Sequence, residues 1–84
     1  MQEKEIGHIT HYYGNINVGI IELSDSLKIG DNIHVKGHTT DFTQSVDSMQ
    51  IEHQSIAEAK AGEMVGIKIN QKAHPHDKVY KIIP

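Results

Sequence analysis

Apolar and polar residues alternate along this chain in short runs, each closed by a turn, and no run holds the helical period for long. The pattern predicts a first strand over Ile6 to Tyr13, a turn at Gly14-Asn15 and a second strand over Ile16 to Leu23. In the second strand Val18 and Ile20 keep one phase while Ile21 and Leu23 keep the other. That conflict, with Gly19 beside it, predicts a bulge or a strand buried on both faces. Asn32 to Lys36 reads as a third strand, with Ile33 and Val35 inward. Phe42 to Glu52 reads as a fourth, and its alternation slips between Val46 and Met49, so a bulge is expected near Asp47-Ser48. Ser55 to Lys60 is good helix material but too short to stand alone, and is expected as one helical turn anchored by Ile56. Met64 to Ile69 is the fifth strand. Asn70 to Asp77 is a loop, and Lys78 to Ile83 closes the fold.

A turn unit recurs. Leu27-Lys28-Ile29-Gly30-Asp31-Asn32-Ile33 is one copy, and Ala59-Lys60-Ala61-Gly62-Glu63-Met64-Val65 is a second. His74-Pro75-His76-Asp77-Lys78-Val79 is a weaker third that lacks the glycine. Gly supplies a left-handed backbone that other residues resist, the acid favours the turn, and the apolar run that follows starts a strand.

Six short strands at this spacing predict an all-β fold, a small six-stranded antiparallel closed barrel, which would also remove exposed sheet edges. The expected core is Ile6, Ile9, Val18, Ile20, Ile33, Val35, Val46, Met49, Ile51, Val65, Ile67 and Ile69. With 84 residues and no linker, residues 1–84 read as one domain and a complete small protein.

Composition narrows the chemistry. The chain has no Cys, which excludes disulfides, thiolate metal sites and a cysteine nucleophile, and suggests a reducing cytoplasm. No leader-like segment or membrane-length apolar run is visible. The formal net charge is −3, and all eight basic residues are Lys. An acidic chain without Arg is a poor candidate for strong independent nucleic-acid binding, although a local Lys patch is compatible with it. There is no GxxxxGK[ST] loop, so no nucleotide triphosphate is expected.

The order of elements resembles the second domain of elongation factor Tu and its relatives. The residues that carry this are Leu27 to Val35 with Thr39-Thr40, Val46 to Glu52, and Ala61-Gly62-Glu63-Met64-Val65-Gly66-Ile67. Small stand-alone elongation factor-like proteins are closer still. So is the C-terminal barrel of collagenase-like peptidase-family proteins, some of which act in tRNA hydroxylation. The closer likeness rests on Ile9 to Gly14, Lys36 to Phe42 and Val46 to His53. In elongation factor Tu this domain helps hold the 3′ end of aminoacyl-tRNA. An ungapped alignment puts Gln50, Glu52 and Met64 where that family carries its acid, its aromatic and its Asn, and none keeps the family residue.

Other constellations have plain readings beside the functional ones. His74-Pro75-His76-Asp77 offers metal-ligand types, for which only His34, His38 or His53 could complete a site, and reads otherwise as a solvated loop. His8, His11, Tyr12 and Tyr13 could stack bases, or could cover the barrel mouth and hairpin. Lys36, Lys68 and Lys81 lie on strands and could track phosphates if they share a face. Asp47, Ser48 and His53 have the types of a triad, but neighbours on a strand point to opposite faces. Glu22 and Glu52 could pair, without an enclosing pocket. The reading is a non-catalytic binding module with no cofactor and no metal, related to translation or tRNA modification. Its expected partner is tRNA, ribosome-associated RNA or an RNA-bound protein, and the alternative is a protein–protein adaptor. The expected contact residues are Lys36, His38, Gln50, His53, Lys60 and Met64.

Overall fold

The computed structural model describes residues 2–83. It contains ten strands: β1 (Gln2–Tyr13), β2 (Val18–Leu23), β3 (Leu27–Lys28), β4 (Asn32–Lys36), β5 (Asp41–Ser45), β6 (Met49–Ile51), β7 (Gln54–Ile56), β8 (Glu58–Ala59), β9 (Met64–Lys68) and β10 (Lys78–Ile83). Eight form one antiparallel sheet in the order β5-β4-β10-β1-β2-β9-β6-β7, and β3 pairs with β8. Among the described residues no helix is long and apolar enough to cross a membrane.

The long strand β1 lies at the centre and is bent twice. Its register slips between Glu5 and Gly7 against β10, and between Ile9 and His11 against β2. Each extra residue adds local twist, so the sheet curls around one core. That core draws on nearly every strand, with Ile6, Ile9, Ile21, Ile33, Val35, Met49, Val65, Ile67 and Val79 among its fully enclosed side chains.

The expected six-stranded closed barrel is corrected here: the strands are eight plus two, and the sheet is not closed. The expected fourth strand is two strands. β5 pairs with β4 at one end of the sheet, and β6 pairs with β9 near the other, so 46–48 must carry the chain across. Val46 anchors that crossing: its N–H donates to Asp31 O (2.8 Å) and its carbonyl accepts from Gly30 N–H (2.9 Å). A side chain spans the gap that no ladder closes. The Gln44 amide donates to Lys68 O (2.9 Å) and accepts from Asn70 N–H (2.8 Å), as a strand residue would.

The expected helical turn over 55–60 is also absent. Ladder bonds to β6 and β3 take up this backbone, and tertiary pairing overrides a weak local preference. Val18, Ile20 and Ile51, expected in the core, are only half-buried. The bulge that reconciles the phases lies in β1 at Thr10, opposite an unbroken β2. The inward phase of β2 is therefore Gly19, Ile21 and Leu23, and Val18 and Ile20 face out.

All three turn units fold alike. Lys28 N–H donates to the Asp31 carboxylate (3.0 Å) and Asp31 N–H to Lys28 O (3.1 Å). The same pair of bonds joins Lys60 to Glu63 (2.6 and 3.2 Å) and His74 to Asp77 (2.8 and 3.1 Å). The third residue of each turn is left-handed: Gly30 (φ 96°), Gly62 (φ 90°) and His76 (φ 76°). This is type II geometry, for which Pro75 supplies a favourable second position and His76 an unfavourable third. His76→Gly should therefore stabilise the fold by up to about 1 kcal/mol, raising the thermal midpoint by roughly 4–8 °C. Thermal unfolding by circular dichroism would check it, and an unchanged or lower midpoint would count against the strain.

On the outer face of the β1–β10–β4–β5 half, the His34 ring lies between two acids. Nδ1 is 3.0 Å from both Glu3 carboxylate oxygens, and Nε2 is 2.5 Å from Asp41 Oδ1. The bonds to Glu3 and then Asp41 raise the His34 pKa above its usual value, against the opposing effect of burial. A raised folded-state pKa gives stability that is complete below about pH 6.5 and is lost as pH rises through the folded value. The midpoint difference between the native chain and His34→Gln should therefore be largest below about pH 6.5 and shrink as pH climbs through the raised folded-state value.

Candidate groove on the outer face of the sheet

The outward phase of β2 and β9 makes the most distinctive surface of the molecule. Cross-strand pairing sets Tyr13 beside Val18, Ile20 beside Gly66, Glu22 beside Met64, and Gln50 beside Gly66. Residues opposite one another share a face, so this region is apolar where a solvated sheet would be polar. The result is an open groove of about 430 Å³ lined by Tyr13, Ile16, Val18, Ile20, Gln50, Glu52, His53, Met64 and Gly66.

Gly66 makes the floor. A Cβ there would lie 3.4 Å from the Ile20 Cδ1 methyl and 3.5 Å from a Val18 methyl, so any side chain would occupy the groove itself. Tyr13, Ile16 and Met64 form walls that remain 49%, 61% and 48% exposed. Exposed large apolar groups gathered in one concavity are unusual for a surface that only meets water. The Tyr13 ring stacks against His11 (6.2 Å between centroids, planes within 8°), which fixes its orientation. Tyr12 points the other way and packs on the core.

At one end the β6–β7 hairpin closes through Glu52 and His53, with φ values of 51° and 66°. Both are left-handed, as a type I′ turn requires. The rim is acidic: Glu52 lines the groove, and Glu22 stands beside Met64 with its carboxylate 3.8 Å from His8 Nε2. No lysine lines it.

Of the six expected contact residues, Gln50, His53 and Met64 meet in this groove. Lys36 and His38 do not: Lys36 ends β4, four strands from β9 in the sheet order, and His38 is in the following turn. Lys60 lies in the Gly62 turn, outside the groove lining. The strand lysines do not share a patch. Lys36 faces Lys78 across β4–β10, Lys68 faces Val18, and Lys81 is turned to Asp31 (3.6 Å). Tyr13, a candidate for base stacking, lines the groove, as do Ile16, Val18 and Ile20, which the sequence does not single out for contact. The signal for Val18 and Ile20 is the phase conflict in the second strand, which reads as a core feature.

The His74–Asp77 loop is committed to structure. The Asp77 carboxylate is buried, accepts the His74 N–H and lies against Gly37, while His74 Nδ1 is 3.2 Å from Thr40 Oγ1. Among the described residues no three His, Asp or Glu side chains converge as metal ligands. The Asp47 carboxylate accepts a bond from Ser45 Oγ (3.2 Å), and among the described residues no hydrogen bond joins Asp47, Ser48 and His53.

No family model matches the chain. It is 44% identical over 77 residues to an uncharacterised protease of Methanocaldococcus jannaschii, covering 90% of this chain and 19% of that protein. It is 32% identical over 82 residues to a collagenase of Porphyromonas gingivalis, covering 95% and 23% respectively. Between these two curated relatives, the chain thus spans only 19% to 23% of the full length. Its structure superposes on the C-terminal domain of a Geobacillus thermoleovorans U32 peptidase with a TM-score of 0.89 at 17% identity, covering 95% of this chain and 93% of that one. A selenomethionine form of the same domain gives 0.86. The chain has the fold of that U32 peptidase C-terminal domain.

Proposed function

We propose that this chain is a non-catalytic binding module of the kind that accompanies tRNA modification in collagenase-like peptidase-family proteins. It offers its groove to an apolar segment of a partner protein that itself handles RNA. One observation carries this reading: the groove is walled by Tyr13, Ile16, Val18, Ile20 and Met64, floored by Gly66, and lined by no lysine. Apolar concavity with a polar rim suits a protein side chain, whereas direct RNA binding needs cations near the phosphates. The lengths of the relatives agree with it. A segment amounting to 19% or 23% of a protease or collagenase leaves the larger remainder to carry whatever chemistry those names describe.

A second reading, direct contact with RNA, draws on the stacked His11 and Tyr13 rings beside Gln50, since an aromatic platform can receive a base. Bulk tRNA titrated against the isotope-labelled chain at two salt concentrations separates the two. The protein-docking reading expects no amide shifts at Gly66 or Met64. Shifts concentrated on Tyr13, Gln50, His53 and Met64 that weaken steeply with salt would replace it with the RNA reading.

A further inference from the structure

Two left-handed residues hold the β6–β7 turn, and neither is suited to it. A two-residue connection that only reverses the chain favours Asn-Gly, because a side chain beyond Cβ is disfavoured at positive φ. Here Glu52 and His53 occupy both positions, and both side chains line the groove. Strain of this kind clusters at binding sites, and here, unlike at His76, no side-chain bond within the turn compensates it. Neither side chain makes a hydrogen bond or ion pair among the described residues, unlike the acids of the other turns. Asp31, Glu63 and Asp77 each accept a backbone N–H of their own turn.

The Glu52 carboxylate is therefore a charge held at the end of an apolar trough, with no lysine in the lining to neutralise it. Glu22, beside Met64, adds to the same sign, although His8 shares its charge. A complementary occupant has an apolar side chain over Gly66 and a cation next to it.

We propose that the Glu52–His53 turn is the recognition element of the groove, and that the groove takes a protein segment in which an apolar side chain neighbours a lysine or arginine. This rests on the protein-docking reading above and specifies its partner.

Three synthetic decapeptides of one apolar pattern test it, with Lys, Gln or Glu beside a central leucine. Binding to the full chain is read from the Gly66 and Met64 amides. The Lys peptide should bind about five-fold more tightly than the Gln peptide, with the Glu peptide weakest. Glu52→Gln should erase that order, bringing the Lys and Glu peptides to within about two-fold of the Gln peptide. Glu52→Asn with His53→Gly should erase it too, and should raise the thermal midpoint by about 5 °C as turn strain is relieved. Groove shifts that show no preference for Lys, or a preference that survives Glu52→Gln, would overturn the recognition role and leave the docking reading standing. No groove shift with any peptide would overturn both.

Discussion

Gly37→Ala should lower folding stability by about 3 kcal/mol. A Cβ at residue 37 would overlap the Asp77 carboxylate, which is buried at 5% relative exposure and holds the third turn through His74 N–H. The carboxylate cannot swing away without giving up that bond inside a covered site. Overpacking costs about 1–3 kcal/mol and a buried polar group left unpaired costs a similar amount. A chain of this size has only about 4–12 kcal/mol in total, so the midpoint should fall by roughly 15 °C. A double-mutant cycle identifies the cause. Asp77→Ala alone loses the turn bond, but Gly37→Ala added to it should then cost little, because the overlapping atoms are gone. Equal losses in the two backgrounds would mean that the cost of alanine at 37 has another origin.

Gly66→Leu should have the opposite profile, with folding preserved and binding lost. Gly66 is not left-handed, and a Cβ there would make only ordinary van der Waals contact with Ile20 and Val18. Strand conformation costs leucine nothing at this position, and stability should stay within about 1 kcal/mol of the native chain. The new side chain fills the floor of the groove. Displacing a buried apolar side chain of the partner forfeits about 1.5–3 kcal/mol, a loss of some 10- to 100-fold in affinity for a basic–apolar peptide. Unaltered affinity would place binding elsewhere on the molecule.

Much of the architecture is legible in the residues, and its limits have physical causes. The three turn units were readable because a left-handed residue and an acid one position later leave little freedom. Even the copy without glycine forms the same bonds, through Pro75 and the strained His76. Asn32–Lys36 and Lys78–Ile83 came out as expected, since a β-rich run follows directly on a turn. The barrel did not, because closure depends on whether β5 pairs beyond β4. A side chain, Gln44, bridges that gap where ladder bonds would have closed it. The Ser55–Lys60 segment looked helical because its preference is local, whereas its pairing with Leu27 and Lys28 is not.

The groove shows how a conflict in pattern should be read. Val18 and Ile20 are apolar in the phase opposite to Ile21 and Leu23. The natural inference was a second buried face, so both were placed in the core. They face outward instead and wall the groove, and an apolar outward phase is what a docking surface needs. Gln50, His53 and Met64 were reached through a family resemblance rather than through the pattern. Lys36 and Lys60 come from the same resemblance, as neighbours of the fourth-strand end and the Gly62 turn, and strand order keeps Lys36 far from that groove.

Whether this groove meets protein can be read in cells by photo-crosslinking. Benzoylphenylalanine at Ile16, on the exposed rim, is compared with the same group at Thr43 on the β5 edge. Position 16 should give one discrete protein adduct, resistant to ribonuclease and lost when Gly66→Leu is added, and position 43 should give no such adduct. A ribonuclease-sensitive adduct, or identical adducts from both positions, would contradict protein docking at this groove.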